Sequence, residues 1–369
     1  SCVTRDKCNY KIKTFTCWHQ LLYMIFGQLS NRESLSDLIV CLQAQQNKSY
    51  HLGMGKGTSK ANLAKANEKR DYRIYESFAS ILVAQAQILA IPNMSFDLSI
   101  EAPLYAIDAT VIDLCLNVFW WGKFRKHKAA VKLHTMLDVR TNIPTFIYVT
   151  NGAVHEVNVL DLFPLEVGSY YVMDKGYIDF GRLNRIHKEG AFFVTRAKDN
   201  FKFVRLSSRT VDKATGIKCD QTVRLKNHKV SLAYPDVIRR LKYYDNDIKM
   251  EFVFITNNFE ISSLEVARLY KYRWAIELFF KWIKQHLKVK SFWGHSFNAV
   301  RTQIYIAMIT YLLVAIMKHQ LKLKQTQYEI LQILSISLLC KIPLLELFSN
   351  IYPQYVKEPE SNQLNLFDL

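Results

Sequence analysis

The order of apolar and polar positions divides the chain into a helical beginning, a strand-rich middle and a helical end. Residues 17–45 repeat apolar side chains at helical spacing, with a break just before Ser34, which we predict to be an N-cap. The glycine-rich segment 52–60 precedes a basic helical pattern over residues 60–90. A helix, a glycine turn and a basic helix are typical of a DNA-docking unit, and equally of a helical bundle with a charged surface.

After Pro103 the pattern changes to short apolar runs that predict strands. Three of these follow one another with short connections, at 104–114, 129–139 and 145–152. Next come a helix-like segment and a buried strand that ends at Asp174. A helix and another strand, at 191–198, follow. This order predicts an α/β fold with a mixed sheet and an antiparallel meander at one edge. Residues 199–257 are strand-prone and basic, and predict a β-rich insertion that returns to the main sheet.

The last third is helical, and its first helix, predicted at about 261–290, carries an unusual polar face. Projected at 100° per residue, one side of the segment is apolar: Ile276, Phe279, Trp282 and Ile283. The opposite side combines aromatic and basic residues with one acid: Tyr270, Arg273, Trp274, Glu277 and Lys284. Taken alone, the segment is better explained by a solvated face with intrahelical ion pairs.

Composition narrows the choice of partner. Lys and Arg total 49 against 32 Asp and Glu, a net charge of +17 that favours a polyanionic partner, either nucleic acid or an anionic membrane surface. The longest apolar run, 304–317, is shorter than the roughly 18–20 residues that span a bilayer, so we predict a buried core helix and no membrane association.

The cysteines indicate a reducing compartment. Seven are scattered along the chain, an odd number that favours free thiols over a disulfide framework. Cys2, Cys8, Cys17 and His19 match no common zinc-ligand spacing. We recognise no signal peptide, and expect a cytoplasmic protein whose natural chain begins before Ser1.

Two acids at predicted strand ends are the candidate chemistry. Asp108 and Asp174 each follow an apolar run, and neighbouring carboxylates there repel unless a divalent cation lies between them. Glu277 would complete an oxygen-ligand set for two Mg²⁺ ions, with Mn²⁺ as an alternative, and such a pair cleaves phosphodiesters. Each acid taken singly is also explained as a capping or turn residue. Among rival acids, we expect Asp113 beyond its strand end and Asp138 outside the site.

These motifs resemble the three signatures of DDE transposases, and more narrowly those of the bacterial insertion-sequence-four family. The spacings between the acids, 66 and 103 residues, leave room for the insertion. The matching residues are Asp108-Ala109-Thr110, Asp174-Lys175-Gly176-Tyr177, and Tyr270, Arg273, Glu277 and Lys284. The resemblance implies a ribonuclease H-like catalytic core with the β-rich insertion between the second Asp and the Glu.

The resemblance also implies roles for the helix residues. Asp108, Asp174 and Glu277 would hold the metal ions and catalyse cleavage. Tyr270, Arg273 and Lys284 would grip backbone phosphates, since Arg offers a planar fork and Lys a mobile charge. Trp274 would stack on a base flipped out of the duplex when a hairpin forms.

The expected organisation and partners follow. We predict a basic helical DNA-binding domain at 1–95, a catalytic core at 96–296 and a C-terminal helical region at 297–369. The candidate DNA contacts of the first domain are Lys60, Lys69, Arg70 and Arg73. The expected activity is cut-and-paste transposition on double-stranded terminal inverted repeats and target DNA, as a homodimer on paired ends. The alternatives are a structure-specific nuclease without strand transfer and an inactive DNA-binding relative. His155 and Glu156 follow the third strand and could support the site, although we expect them in a surface loop. As such a transposase, the protein is expected to associate with the bacterial nucleoid.

Overall fold

A computed structural model describes residues 12, 14–90, 100–125 and 128–349 of the chain. Its N-terminal part is built from helices: α1 (Cys17–Leu29), α2 (Leu35–Ala44), α3 (Gln46–Ser49), α4 (Lys60–Lys69) and α5 (Arg73–Leu89). Ser34 caps α2 by accepting a hydrogen bond from the N–H of Asp37, as predicted, and this satisfies a helix-end donor that would otherwise lack a partner. Cys2 and Cys8 lie outside the described residues.

The single helix predicted over residues 60–90 is wrong, because the chain breaks between α4 and α5. Arg70 takes an extended backbone conformation at the end of α4. The carboxylate of Asp71 then accepts a hydrogen bond from the N–H of Arg73 at 2.9 Å, which starts the next helix. The break lets the Arg70 side chain turn inward, where its guanidinium donates to the carbonyl oxygens of Phe15 and Thr16.

Within the described residues, ten strands form one mixed sheet. They are β1 (Leu104–Leu114), β2 (Lys123–Arg125), β3 (Lys128–Asp138), β4 (Ile143–Asn151), β5 (Tyr170–Met173), β6 (Phe192–Arg196), β7 (Phe203–Arg209), β8 (Ile217–Leu225), β9 (Ile238–Asp245) and β10 (Met250–Thr256). The spatial order is β4-β3-β1-β5-β6-β10-β9-β8-β7, with the short β2 also paired to β3. Strands β1, β5 and β6 are parallel, and the meander β1-β3-β4 is antiparallel. The predicted mixed sheet is confirmed.

The β-rich insertion extends this sheet, as predicted, because β10 pairs with β6 and leads outward to β7. A buried ion pair anchors it. Arg239 on β9 and Asp220 on β8 approach to 2.6 Å with exposed fractions of 2% and 1%. Ser263 donates to the same carboxylate at 2.8 Å, and Arg239 donates to the carbonyl of Ile261 at 2.7 Å. The insertion is thereby tied to the helix that follows it.

Helices cover both faces of the sheet. On one face lie α6 (Phe180–Lys188), α7 (His228–Ala233) and a 3₁₀ helix (Glu156–Leu162). The other face meets α5 and three C-terminal helices, α8 (Ser263–Lys271), α9 (Trp274–His286) and α10 (Phe297–Gln320). The chain described ends with α11 (Gln327–Ser337) and α12 (Leu344–Ser349).

The predicted continuous helix at 261–290 is wrong, since it consists of α8 and α9 with a tight turn between them. The N–H of Arg273 donates to the carbonyl of Tyr270, and the N–H of Ala275 to that of Tyr272, both at 3.1 Å. Bonding to the third preceding residue winds the backbone more tightly than an α-helix. Tyr270 and Glu277 therefore belong to separate helices, although the apolar face of α9 is buried as predicted.

Helix α10 is the central helix of the shared core. It is long and apolar enough to cross a membrane by composition, but 83% of its most apolar window is buried inside the protein, so the prediction of a core helix is confirmed. Asn298, near its start, accepts a hydrogen bond from the N–H of Tyr72 and donates to the carbonyls of Asn67 and Arg70. Tyr311 donates to the carbonyl of Asn142 between β3 and β4 at 2.8 Å. The boundaries predicted near 95 and 296 remain predictions, and they separate segments that share one core.

Candidate active site

Two acids lie side by side where β1 and β5 run in parallel. The last paired residues of these strands are Ile107 and Met173, so Asp108 and Asp174 are the next positions in register. Asp174 follows the end of β5 as predicted, whereas the prediction that Asp108 lies at a strand end is wrong, because β1 continues to Leu114 in its pairing with β3. Neighbouring strands are about 4.8 Å apart, which brings the two backbones close. Leu104, Ala106, Tyr170 and Val172 all pack in the core beneath the C-terminal helices. Because side chains alternate along a strand, both carboxylates project toward that same face, where α9 lies.

Helix α9 supplies the third acid, and Arg273 connects it to the first. The guanidinium of Arg273 lies 3.4 Å from Oδ2 of Asp108 and also contacts Oε1 of Glu277. It is only 17% exposed, and it stands within 5.7 Å of the Tyr270 ring centroid. The tight turn between α8 and α9 places this side chain. One cation therefore bridges two of the three predicted acids.

The negative charge of the Asp108 carboxylate is only partly balanced by its surroundings. Burial raises its pKa from 3.8 to about 7, against the lowering influence of Arg273 and of the Ala109 N–H, which donates to Oδ1 at 2.8 Å. The nearby charges of Glu277 and Glu156 raise the pKa further. A carboxyl group in this state favours an additional cation.

Asp174 has its own basic neighbour, which sequence reasoning missed. Nη2 of Arg196 lies 3.4 Å from Oδ1 of Asp174. Arg196 is the last residue of β6, the parallel neighbour of β5, so the ends of the two strands meet at the same edge. The sequence signal was available, since the apolar run at 191–198 contains this Arg.

Glu156 lies in a short helix close to the predicted acids, which corrects the expectation of a surface loop. It begins the 3₁₀ helix after β4, and its Oε1 lies 3.2 Å from Nζ of Lys132 on β3. His155 is exposed, in agreement with the prediction. The sequence left a supporting role for Glu156 open, because its approach to the acids depends on how far the chain turns after β4.

The rival acids lie elsewhere. Asp138 is opposite Tyr105, three positions from Asp108 and hence about 10 Å along the strand. It accepts from the N–H of Arg140 and the hydroxyl of Thr141, a turn-forming role. Asp113 is exposed but lies within β1, so the expectation that it falls beyond the strand end is wrong.

The other predicted residues of the helix signature occupy different surroundings. The Tyr270 ring packs on Phe254 with centroids 4.9 Å apart, and its hydroxyl is buried without a hydrogen-bond partner. Trp274 is half-buried at the first turn of α9. Lys284 is further along α9, where burial and the charge of Lys290 lower its pKa.

The predicted basic residues of the N-terminal helices divide into two groups. Lys60 and Lys69 are exposed on α4. Arg73 is exposed beside Asp71, to which its Nε donates at 2.8 Å. Arg70 is engaged internally, since it also donates to Oε1 of Gln20 at 3.0 Å. Because its guanidinium is bound within the protein, Arg70 is not part of the proposed DNA-binding surface.

The donor set fits a divalent metal in chemistry, since carboxylate oxygens are the ligands of Mg²⁺. Among the described residues, no group of three or more His, Cys, Asp or Glu side chains is arranged closely enough to hold a metal ion. The guanidinium of Arg273 instead lies between Asp108 and Glu277, the position of a neutralising cation. The candidate ligands are Asp108, Asp174 and Glu277.

A parallel-strand pair of acids with a third acid on a flanking helix suggests an enzyme that cuts and joins nucleic acid, and sequence comparison identifies the family. Residues 100–313 match the transposase DDE domain, and the chain belongs to the DDE transposase family, whose members are nucleases and transesterification enzymes that generally use divalent metal ions. Residues 1–55 match a domain of unknown function.

Relatives point to the insertion-sequence-four-like kind. The chain is 34% identical over 260 residues to a protein of Sinorhizobium fredii named as transposase y4zB, covering 69% of this chain and 70% of the relative. It is 28% identical to a transposase named for insertion sequence element IS5377 of Geobacillus stearothermophilus, over 72% and 69% of the two chains. A Synechocystis transposase named for IS4SA is 26% identical over 59% and 61%. The predicted family is confirmed.

Proposed function

We propose that this transposase cleaves DNA at the ends of its own element and joins them to target DNA through a ribonuclease H-like core. The observation that carries the proposal is the placement of Asp108 and Asp174 in adjacent register on parallel strands. Further support comes from the strand order β4-β3-β1-β5-β6, in which an antiparallel meander precedes two parallel strands. Glu277 on α9 is the third member of the catalytic set.

The cofactor proposed is a pair of Mg²⁺ ions, with Mn²⁺ as a substitute, held by Asp108, Asp174 and Glu277. When bound, such ions activate the attacking oxygen and stabilise the leaving oxygen of the phosphodiester. The uncompensated burial of Asp108 supports this assignment. Arg273 lies between Asp108 and Glu277, and where metal ions held these acids its guanidinium would be available for a backbone phosphate.

The remaining residues of α8 and α9 bind and orient DNA in this proposal. Lys284 and Arg273 contact backbone phosphates, and Tyr270 orients Arg273 through its ring. Trp274 receives a flipped base during formation of a hairpin at the element end, because an indole face returns part of the unstacking energy. Initial nicking leaves the duplex stacked and does not use this contact.

The N-terminal helices are the proposed DNA-docking unit. Lys60, Lys69 and Arg73 are exposed, and Lys56 and Lys65 join them on the surface of the same region. Cut-and-paste requires both element ends together, so the proposed assembly is a homodimer on paired terminal repeats. The proposed location is the bacterial nucleoid, where both ends and target DNA are found.

The test is incubation of the protein with labelled DNA carrying the element ends and a supercoiled target. Mg²⁺ should give nicked, hairpin and joined products, and EDTA should give none. Asp174→Asn should remove all products while leaving DNA binding near wild type. Cleavage by wild type without joined products would favour the alternative of a structure-specific nuclease. Wild-type cleavage by Asp174→Asn would overturn the assignment of the site.

A further inference from the structure

A lysine–glutamate pair lies beside the predicted acids and has no role in the proposed mechanism. Lys132 is on β3, the neighbour of the edge strand β4, and only 7% of the residue is exposed. Its Nζ donates to the carbonyl of Val154 at 3.0 Å and approaches Oε1 of Glu156 to 3.2 Å. The ammonium therefore fixes both the backbone before Glu156 and its carboxylate.

The second oxygen of Glu156 lies near the same backbone position as the carboxylate of Asp174. A Cβ atom built on Gly176 would lie 4.0 Å from Oε2 of Glu156 and 3.9 Å from Oδ2 of Asp174. Both oxygens thus border the same glycine, and Glu156 also acts electrostatically on Asp108. Lys132 takes one oxygen of Glu156 and leaves the other facing the acids of the site.

An independent observation indicates that a ligand binds in this space. The hydroxyl of Tyr177 is buried without a hydrogen-bond partner, and the residue is 1% exposed. The charges that act on this hydroxyl are Asp108, Glu156, Asp174 and Arg273. Buried hydroxyl groups normally have partners, so an orphan hydroxyl among carboxylates suggests an absent polar ligand such as an ion with its water.

Stability alone does not explain the pair. Burying two charges costs about as much as their attraction returns, and apolar residues of similar size often serve equally well. The charges of the pair cancel, yet the Glu156 oxygen on the other side from Lys132 borders Gly176 together with the carboxylate of Asp174, and a cation between two such acids would stabilise them.

We propose that Glu156 is a fourth carboxylate ligand of the divalent-cation site, on the Asp174 side, and that Lys132 is the residue that positions it. This rests on the proposed function, because it assumes that Asp108, Asp174 and Glu277 bind such ions. Lys132 holds one oxygen of Glu156 and leaves the other at the border of the site. The ligand chemistry is that of a hard divalent cation bound through carboxylate oxygen.

The first test is Mn²⁺ binding to the DNA-free protein, measured by isothermal titration calorimetry. Glu156→Gln keeps the shape of the side chain and should weaken Mn²⁺ binding by about 10- to 100-fold, the range seen when groups around a metal are removed. Asp161→Asn is the matched control, since Asp161 lies on the same 3₁₀ helix but pairs with Arg182 at 2.8 Å. Wild-type affinity in Glu156→Gln would overturn the proposal.

The second test separates a ligand from a structural ion pair. In the double variant Lys132→Met/Glu156→Met an apolar pair replaces the charges, so the melting temperature should stay near wild type. Mn²⁺ binding and end cleavage should still be lost. A double variant that binds Mn²⁺ as tightly as wild type would show that the pair only supports the fold.

The outcomes also separate this proposal from the proposed function. Asp174→Asn serves as the reference for loss of the site. If it loses Mn²⁺ binding while Glu156→Gln retains it, only the fourth ligand is rejected. If wild type itself binds no Mn²⁺, both the fourth ligand and the metal site of the proposed function are rejected.

Discussion

Replacing Asp108 by Asn should stabilise the protein while abolishing cleavage. Burial raises the pKa of Asp108 from 3.8 to about 7, so the charged form is unfavourable in the folded state. At 1.36 kcal/mol for each pH unit, this difference amounts to about 4 kcal/mol at pH 8. The side chain is only 20% exposed, so solvent screening removes little of this figure. Asn keeps the shape and omits the charge.

The sign of the pH dependence follows from the raised pKa. Above pH 3.8 the unfolded chain releases the proton of Asp108, whereas the folded protein keeps it until about pH 7. The stability contributed by this group is therefore present at low pH and lost as the pH rises from about 4 to 7. Asp108→Asn should gain up to about 4 kcal/mol over wild type at pH 8, and almost nothing near pH 4.

Urea denaturation in EDTA at a series of pH values measures this difference directly. Asp113→Asn is the control, because Asp113 is exposed on the same strand, and it should change the free energy of unfolding by less than about 0.5 kcal/mol. A pH-independent difference between Asp108→Asn and wild type, or a loss of stability at pH 8, would refute the reasoning.

Three further predictions concern DNA handling and the insertion. Trp274→Ala should slow hairpin formation by roughly ten- to a hundredfold and leave nicking near wild type, because stacking on a flipped base is worth about 1–3 kcal/mol. A time course that shows an equal loss of nicked and hairpin products would reject the stacking role. Asp220→Asn should cost about 3–5 kcal/mol in urea denaturation, since it leaves Arg239 buried without its counter-charge. The exposed pair of Lys218 and Glu251 is its control, and Lys218→Gln should cost less than about 1 kcal/mol. DNA affinity should fall by about 10³–10⁵ between 50 and 200 mM salt if 6–10 phosphates are contacted, and a flat dependence would contradict phosphate-dominated binding.

The strands and the two aspartates could be predicted from the sequence because the signals are local. The run 104–114 coincides with β1, and the alternation of side chains along the strands places Asp108 and Asp174 on one face. The exposure of the basic side chains on α4 could also be predicted, since a helix with so few apolar residues presents most of its side chains to solvent.

The contacts between elements could not be predicted in the same way. The break before Trp274 results from a change in hydrogen bonding by a single residue, which the apolar pattern does not record. The inward turn of Arg70 depends on carbonyl groups 54 and 55 residues earlier in the chain. Glu156 reaches the site through Lys132, a residue 24 positions away on another strand. Sequence periodicity reports which face of an element is buried, and carries no information about such partners.

The position of α10 has a consequence for the DNA itself. Its Asn298 is bonded to the end of α4, and its Tyr311 to the edge of the sheet that carries Asp108. If α4 docks on the element end as proposed, α10 keeps a fixed distance between the recognised DNA sequence and the phosphodiester to be cut. A DNA helix turns once in about 10–10.5 base pairs, so five inserted base pairs would rotate the scissile bond to the far side. The architecture thus demands a constant spacing inside each terminal repeat, even where the intervening bases are free to vary.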